Sequence, residues 1–201
     1  AGSLTRAIEE TDGLLNTFAA LLRIAQIESG TRKRGFREID LSALLNSLVQ
    51  TYETIAEDEG RILSASIEPA VFVHGDAELI VQAVVNLIEN AIRHTPKGSR
   101  ISVSLAVDGA PLLAVSDDGA GIQEADRQRV LRRFERLEQS DPKPGSGLGL
   151  SIVAAIAELH GIDLALEDNR PGLKVSLRFQ GHWSWGQTAA QQQPQRGAAH
   201  A

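Results

Sequence analysis

Asn86-Leu87-Ile88-Glu89-Asn90-Ala91-Ile92-Arg93-His94-Thr95-Pro96 closes a helix whose two sides carry different information. Leu79, Ala83, Val84, Leu87 and Ala91 recur at helical spacing and form an apolar stripe that has to pack on a core. At about 100° per residue, Asn86, Asn90 and Arg93 fall in one arc of roughly 60° beside that stripe, at the rim of the core. Asparagine is a mediocre helix former, so two on one flank suggest polar groups kept for a ligand; alone, the pattern fits a solvated helix edge equally well. An amide oxygen is a hard-cation ligand and arginine a phosphate donor, which makes Mg2+ and a nucleotide the natural candidates. Asp76 supplies an N-cap, so the helix is predicted from there to His94.

Outward from this helix, strands predominate. Ile101, Val103, Leu105 and Val107 alternate with smaller residues, Asp108-Gly109 makes a hairpin turn, and Leu112 to Val115 forms the return strand. Gln123 to Phe134 reads as a short charged helix, Glu135 to Gly147 as a Pro- and Gly-rich loop, and Leu148 to His160 as another helix. Ile162 to Leu166 and Leu173 to Phe179 form a terminal antiparallel pair joined by Asp168-Asn169-Arg170-Pro171-Gly172. Upstream, Phe36 to Leu41 and Ala70 to His74 are short extended pieces, and Leu63, Ala65 and Ile67 alternate with serines. Between them Ser42 to Gly60 reads as a helix with Leu44, Leu45, Leu48, Val49, Tyr52 and Ile55 inward. The order predicts an α+β fold, a two-layer α/β sandwich in which a mixed, mostly antiparallel sheet carries helices on one face.

The beginning of the chain differs. Ala1, Gly2 and Ser3 read as a cloning scar, and Leu4, Ile8, Thr11, Leu15, Phe18, Leu22 and Ala25 alternate spacings of four and three, a heptad seam on one long helix over 4–30. One helix cannot bury such a stripe alone, so partner helices are expected. Residues 31–35 act as a hinge, a catalytic unit occupies 36–180, and 181–201, with Gln191-Gln192-Gln193 and repeated alanines, reads as a disordered tail.

Composition narrows the function classes. The 201 residues include 42% hydrophobic and 23% charged residues, within the globular range, and the net charge of -6 disfavours a nucleic-acid binder. Cysteine is absent, which excludes disulfides, thiolate metal sites and a cysteine nucleophile. No uncharged apolar run approaches the roughly 18 residues that cross a bilayer.

Two further motifs carry chemistry. Asp117-Asp118-Gly119-Ala120-Gly121-Ile122 follows the return strand, where a carboxylate can accept a hydrogen bond from an exocyclic amine and glycines allow close approach. Gly145-Ser146-Gly147-Leu148-Gly149-Leu150-Ser151-Ile152-Val153 opens the last long helix, and backbone N–H groups there form an anion site. Each is weak alone, since Asp-Gly is often only a turn and Gly-rich runs only loops. The spacing is neither that of a Walker loop nor that of a dinucleotide fingerprint.

Together and in this order, the three segments resemble the ATP-binding domain of the sensor histidine kinases, with its Bergerat nucleotide fold. Leu21-Leu22-Arg23-Ile24-Ala25-Gln26-Ile27-Glu28-Ser29-Gly30 is similar to the end of the second helix of that family's dimerisation and phosphotransfer hairpin. The resemblance implies ATP and Mg2+ as ligands, with Asn90 on the metal and Asn86 and Arg93 on the triphosphate. His94 stands where the family usually has an aromatic residue, contacting phosphate or ribose. Asp117 corresponds to the carboxylate that reads the adenine amine, with Gly119, Gly121 and Ile122 around the base. Phe134 and Arg136 match the motif before the ATP lid, Lys143 adds a contact within the lid, and Gly145, Ser146, Gly147, Leu148, Gly149 and Leu150 match the phosphate-binding turn.

The hairpin's first helix, which carries the phosphoacceptor in the family, is missing from this sequence, and His74, His94, His160, His182 and His200 all lack the acceptor setting. The resemblance therefore implies a chain that binds Mg-ATP without labelling itself. It also implies a response-regulator receiver domain as partner, a homodimer through the helical hairpin that this truncation weakens, and no nucleic acid. The fragment is expected in the cytoplasm, cut from a parent sensor anchored in the inner membrane. A gyrase-type ATPase would use a glutamate as general base where Asn86 stands, and an amide cannot take a proton from water. A nucleotide-binding pseudokinase or scaffold is the alternative.

Overall fold

The computed structural model describes residues 35–132, 135 and 147–186. Its elements run β1 (Arg37–Asp40), α1 (Leu41–Asp58), β2 (Ile62–Ile67), β3 (Val71–Gly75), α2 (Ala77–His94), β4 (Arg100–Asp108), β5 (Ala110–Asp117), α3 (Glu124–Arg127), α4 (Gly149–His160), β6 (Ile162–Asp168), β7 (Leu173–Phe179) and β8 (Trp183–Trp185). A five-stranded sheet has the order β2-β4-β5-β7-β6, parallel only between β2 and β4. A three-stranded sheet, β1-β3-β8, is antiparallel throughout.

The register explains the layering. Val103 faces Val115 and Leu105 faces Leu113 across β4 and β5, while Val115 pairs with Val175 and Leu113 with Leu177 across β5 and β7. All six are buried, and the period of two places them on one face. Leu79, Ala83, Val84, Leu87 and Ala91 of α2 belong to the same core, as do Leu41, Leu45 and Val49 of α1 and Val153 and Ile156 of α4. This is the expected α+β sandwich. Asp76 caps α2, its Oδ1 accepting from the amides of Glu78 at 3.0 Å and Leu79 at 3.2 Å, and Asp40 caps α1 in the same way through Ala43.

Three readings need correction. Ile55 is 42% exposed and Ala56 takes the inward place, because Ile55 lies about 100° from the mean direction of Leu45 and Val49 whereas Ala56 lies almost on it. Of the helix expected over 123–134, the described residues form only α3, followed by turns in which Arg129 and Arg132 each bond three residues back; among them Val130 alone is buried in the core, too little to hold a longer helix. Finally, the chain does not lose its structure at residue 181. Trp183–Trp185 pairs with β3, Val73 opposite Trp183, so the strand order of the small sheet ends on a segment read as tail. The helix expected over 4–30, most of the hinge and residues 187–201 lie outside the described residues.

Candidate functional site

The alternation that buries Leu113 and Val115 continues to Asp117, the last residue of β5, and so turns its carboxylate toward the helical layer. It is 9% exposed, with Ile101 of β4 as its strand partner. Its Oδ1 accepts from the amides of Gly119 at 2.9 Å and Leu173 at 3.4 Å. Burial pushes this carboxyl above the usual carboxylate range, and the two amides only partly oppose the shift. No cation partners Asp117 among the described salt bridges, so its charge is available to a donor from outside the chain.

Its surroundings leave no room for side chains. A Cβ on Gly119 would meet the methyl carbon of Thr95 at 2.9 Å and Asp117 Oδ1 at 3.0 Å. Gly121 has φ +70° and lies against the carbonyl oxygen of Gly172, which a Cβ would approach to 2.7 Å. Thr95, the residue after α2, is buried; its hydroxyl donates to the Ala91 carbonyl at 2.7 Å and its own carbonyl accepts from the Arg61 guanidinium at 2.7 Å. Ile122 is partly buried against the core.

The other half of the site lies between α2 and α4, which pack together. Asn86 and Asn90 are half-buried, and Arg93 and His94 are exposed on the last turn. The Asn86 Nδ2 is fully buried and has no hydrogen-bond partner. Buried polar atoms are rarely left so, and this one is an open donor on the flank expected to face a ligand. Asn90 turns its Oδ1 toward the start of α4, 3.6 Å from where a Cβ on Gly149 would lie. Gly147, just before α4, has φ +68°, and among the described residues no side chain caps α4, whose first amides suit an anion. Leu148 and Leu150 point into the core and anchor that turn.

The structure thus places Asn90 beside Gly149 at the start of α4, with Asn86 one turn earlier on α2, and gathers Asp117, Gly119, Gly121 and Ile122 at the end of β5. Phe134, Arg136, Lys143, Gly145 and Ser146 lie outside the described residues. Sequence reasoning missed Thr95 and Asn169 as contributors. The Asn169 side chain donates to the Asp117 carbonyl at 2.8 Å from 52 residues away, and in sequence it is only a turn asparagine.

The donor set suits a nucleotide: an isolated carboxylate for an amine, an open amide donor, an amide oxygen and a glycine-lined helix start. No group of three His, Cys, Asp or Glu residues among the described residues could hold a metal, so a cation here would need phosphate oxygens and water beside the Asn90 amide. Such a ligand set fits Mg2+.

A family model described as the histidine kinase-, DNA gyrase B- and HSP90-like ATPases matches residues 75–182. The chain belongs to this family. Within it, the relatives are sensor histidine kinases. The sensor protein IrlS of Burkholderia pseudomallei is 32% identical over 182 residues, 88% of this chain and 38% of IrlS, so the chain spans well under half of that relative. The solved mycobacterial sensor histidine kinase MprB superposes with a TM-score of 0.64 at 27% identity, over 71% of this chain and 97% of that one. Full-length ShkA, solved in complex with AMPPNP, gives a TM-score of 0.78 at 20% identity, over 92% of this chain and 39% of that one, a likeness of fold. The chain carries the ATP-binding catalytic domain of a sensor histidine kinase. No helix among its described residues is long and apolar enough to cross a membrane.

Proposed function

We propose that this domain holds Mg-ATP so that its γ-phosphoryl group passes to a histidine of the phosphotransfer hairpin, and from there to an aspartate of a response-regulator receiver domain. The observation that supports this most is the pairing of an isolated, buried Asp117 at the strand end with an open Asn86 amide and the Asn90 oxygen facing the glycine start of α4. In this reading Asp117 accepts from the exocyclic amine of adenine, Gly119, Gly121 and Ile122 border the base, and Asn86 and Arg93 hold phosphate oxygens with the amides of Gly147 to Leu150. His94 contacts phosphate or ribose, and Phe134, Arg136, Lys143, Gly145 and Ser146 belong to the lid and turn above them. Asn90 would hold Mg2+, which when bound neutralises charge on the phosphates.

Transfer breaks the bond between the γ-phosphorus and the bridging oxygen, leaving ADP, and forms a bond from that phosphorus to an imidazole nitrogen. The transition state is loose, so the protein's part is positioning and charge neutralisation by Asn86, Arg93, Arg136 and the helix start. The heptad helix of 4–30 would pair the chain with a second copy through the hairpin, and the parent protein would be membrane-anchored. Calorimetric titration of Mg-ADP into the chain tests the site: saturable binding at one site, weakened about tenfold by Asn90→Ala, is expected. A folded chain without measurable binding overturns the reading and leaves a scaffold.

A further inference from the structure

We propose that Asn169 is the positioning residue for base recognition: it fixes the strand end from which Asp117 reaches the purine. This rests on reading Asp117 as the carboxylate that takes the adenine amine. Asn169 stands in the turn between β6 and β7, which it closes by donating its own amide to the Gly172 carbonyl at 3.0 Å. Its side-chain Nδ2 then crosses to the Asp117 carbonyl at 2.8 Å. The same turn delivers the Leu173 amide to Asp117 Oδ1 at 3.4 Å, opposite the Gly119 amide at 2.9 Å.

The fit between turn and strand end is close throughout. Gly172, at φ +110°, lies so near that a Cβ would stand 1.8 Å from the Asp117 carbonyl oxygen, and Gly121 in turn rests on the Gly172 carbonyl. The β5–β7 ladder ends at Ser116 and Lys174, and beyond it the Asn169 side chain ties the turn itself to the end of β5. Without it the turn beyond the ladder loosens, the longer Leu173 contact to Oδ1 weakens first, and the carboxylate is held mainly by its local bond to Gly119. Asn169 itself touches no part of the nucleotide in this arrangement; it acts through Asp117.

The consequence is discrimination between purines. Adenine offers an exocyclic amine where guanine offers a carbonyl oxygen, so a carboxylate held in one direction attracts the first and repels the second. Loss of aim lowers affinity for adenine nucleotides and leaves guanine nucleotides and bare polyphosphate where they were.

The experiment measures Mg-ADP, Mg-GDP and Mg-tripolyphosphate binding to the wild-type chain, Asn169→Asp, Asn169→Ala and Asp117→Asn. Asn169→Asp keeps the size and removes the donor, and Asn169→Ala reads the same loss should the new carboxylate unfold the turn. Both are expected to weaken ADP about three- to tenfold, the scale of one neutral hydrogen bond, and to leave GDP and tripolyphosphate unchanged. An equal fall for all three ligands would make Asn169 a fold residue and overturn the proposal. So would an unchanged ADP to GDP ratio in both Asn169 variants while Asp117→Asn collapses it. If Asp117→Asn leaves that ratio intact, the adenine reading itself fails, and this proposal with it.

Discussion

At the end of the site proposed for the base, the chain itself holds the polar groups in place: two amides on Asp117 Oδ1, Asn169 on its carbonyl, and glycines at Gly119, Gly121 and Gly172 that let backbones meet. At the end proposed for the phosphates, Asn86 has a buried amide with no hydrogen-bond partner, and α4 starts without a side-chain cap among the described residues. The first end is held in place before any ligand arrives; the second keeps hydrogen-bonding capacity that water or phosphate has to fill. In the proposed reading, an adenine ring, rigid and with a fixed pattern, meets fixed geometry. A triphosphate is flexible and highly charged, so it is matched by a set of donors that it completes. Stability and affinity should therefore separate differently at the two ends.

The largest effect is expected from Gly172→Ala. The φ of +110° and the approach of its missing Cβ to the Asp117 carbonyl leave the added methyl no place, so the β6–β7 turn has to leave β5. The expected loss is about 3 kcal/mol of stability or more, read by urea unfolding, with ADP affinity falling alongside it. Asp117→Asn is next and breaks the same end without moving its backbone. One charged hydrogen bond to the base is lost, about 10- to 100-fold in ADP affinity by calorimetry. Stability should behave in the opposite sense. A carboxyl whose folded pKa is raised supports folding below its unfolded pKa, and that support is lost as pH rises through the folded value. At neutral pH, replacing it by an amide should leave the unfolding midpoint level or higher.

The phosphate end should answer differently to Asn86→Ala. Removing a buried donor that has no partner takes away a desolvation cost, and alanine is the better helix former. The expected outcome is a gain of about 1 kcal/mol in unfolding free energy together with a several-fold loss of ADP and tripolyphosphate affinity. A loss of stability on this substitution would mean that Asn86 is already satisfied in solution, and the contrast between the two ends would disappear.

How much of this was legible in the chain follows from the range of each interaction. The frame of α2 was readable because its cap, its stripe and its asparagines are all set by local spacing. So was the face on which Asp117 lies, since the alternation Leu113, Val115, Asp117 is local too. The partners of Asp117 were not. Asn169 lies 52 residues away, in a turn whose composition explains itself without a site. The strand Trp183–Trp185 was missed for a related reason: three residues carry no period, and only the edge of β3, more than a hundred residues earlier, makes them a strand. Ile55 was misplaced because the stripe was read too broadly: helical spacing already puts it on the flank of α1, and Ala56, which lies on the inward line, is small and easily passed over.

The smallest expected effect comes from a residue far from both ends that holds their helices in register. His160, the last residue of α4, accepts at Nε2 from the Asp76 amide at 3.0 Å, so its proton sits on Nδ1, which donates to the Ile156 carbonyl at 2.8 Å. Phe36 stacks on the ring at a centroid separation of 4.6 Å. The imidazole thus ties the C-terminus of α4 to the N-terminus of α2, while Asn90 and Gly149 meet at the opposite end of the same pair. Burial lowers the pKa of this histidine, against smaller opposing pulls from the Ile156 carbonyl and the Asp76 carboxylate, and protonation would place a donor against the Asp76 amide. The sign follows directly: the contribution is complete above the unfolded value of about 6.5 and is lost as pH falls through the folded pKa. Urea unfolding between pH 7.5 and pH 5 should show a fall of about 1 kcal/mol that His160→Gln lacks. If the two helices share one register, the wild-type chain should lose tripolyphosphate affinity over the same pH interval. His160→Gln, which cannot titrate there, separates this loss from protonation of the phosphate ligand itself.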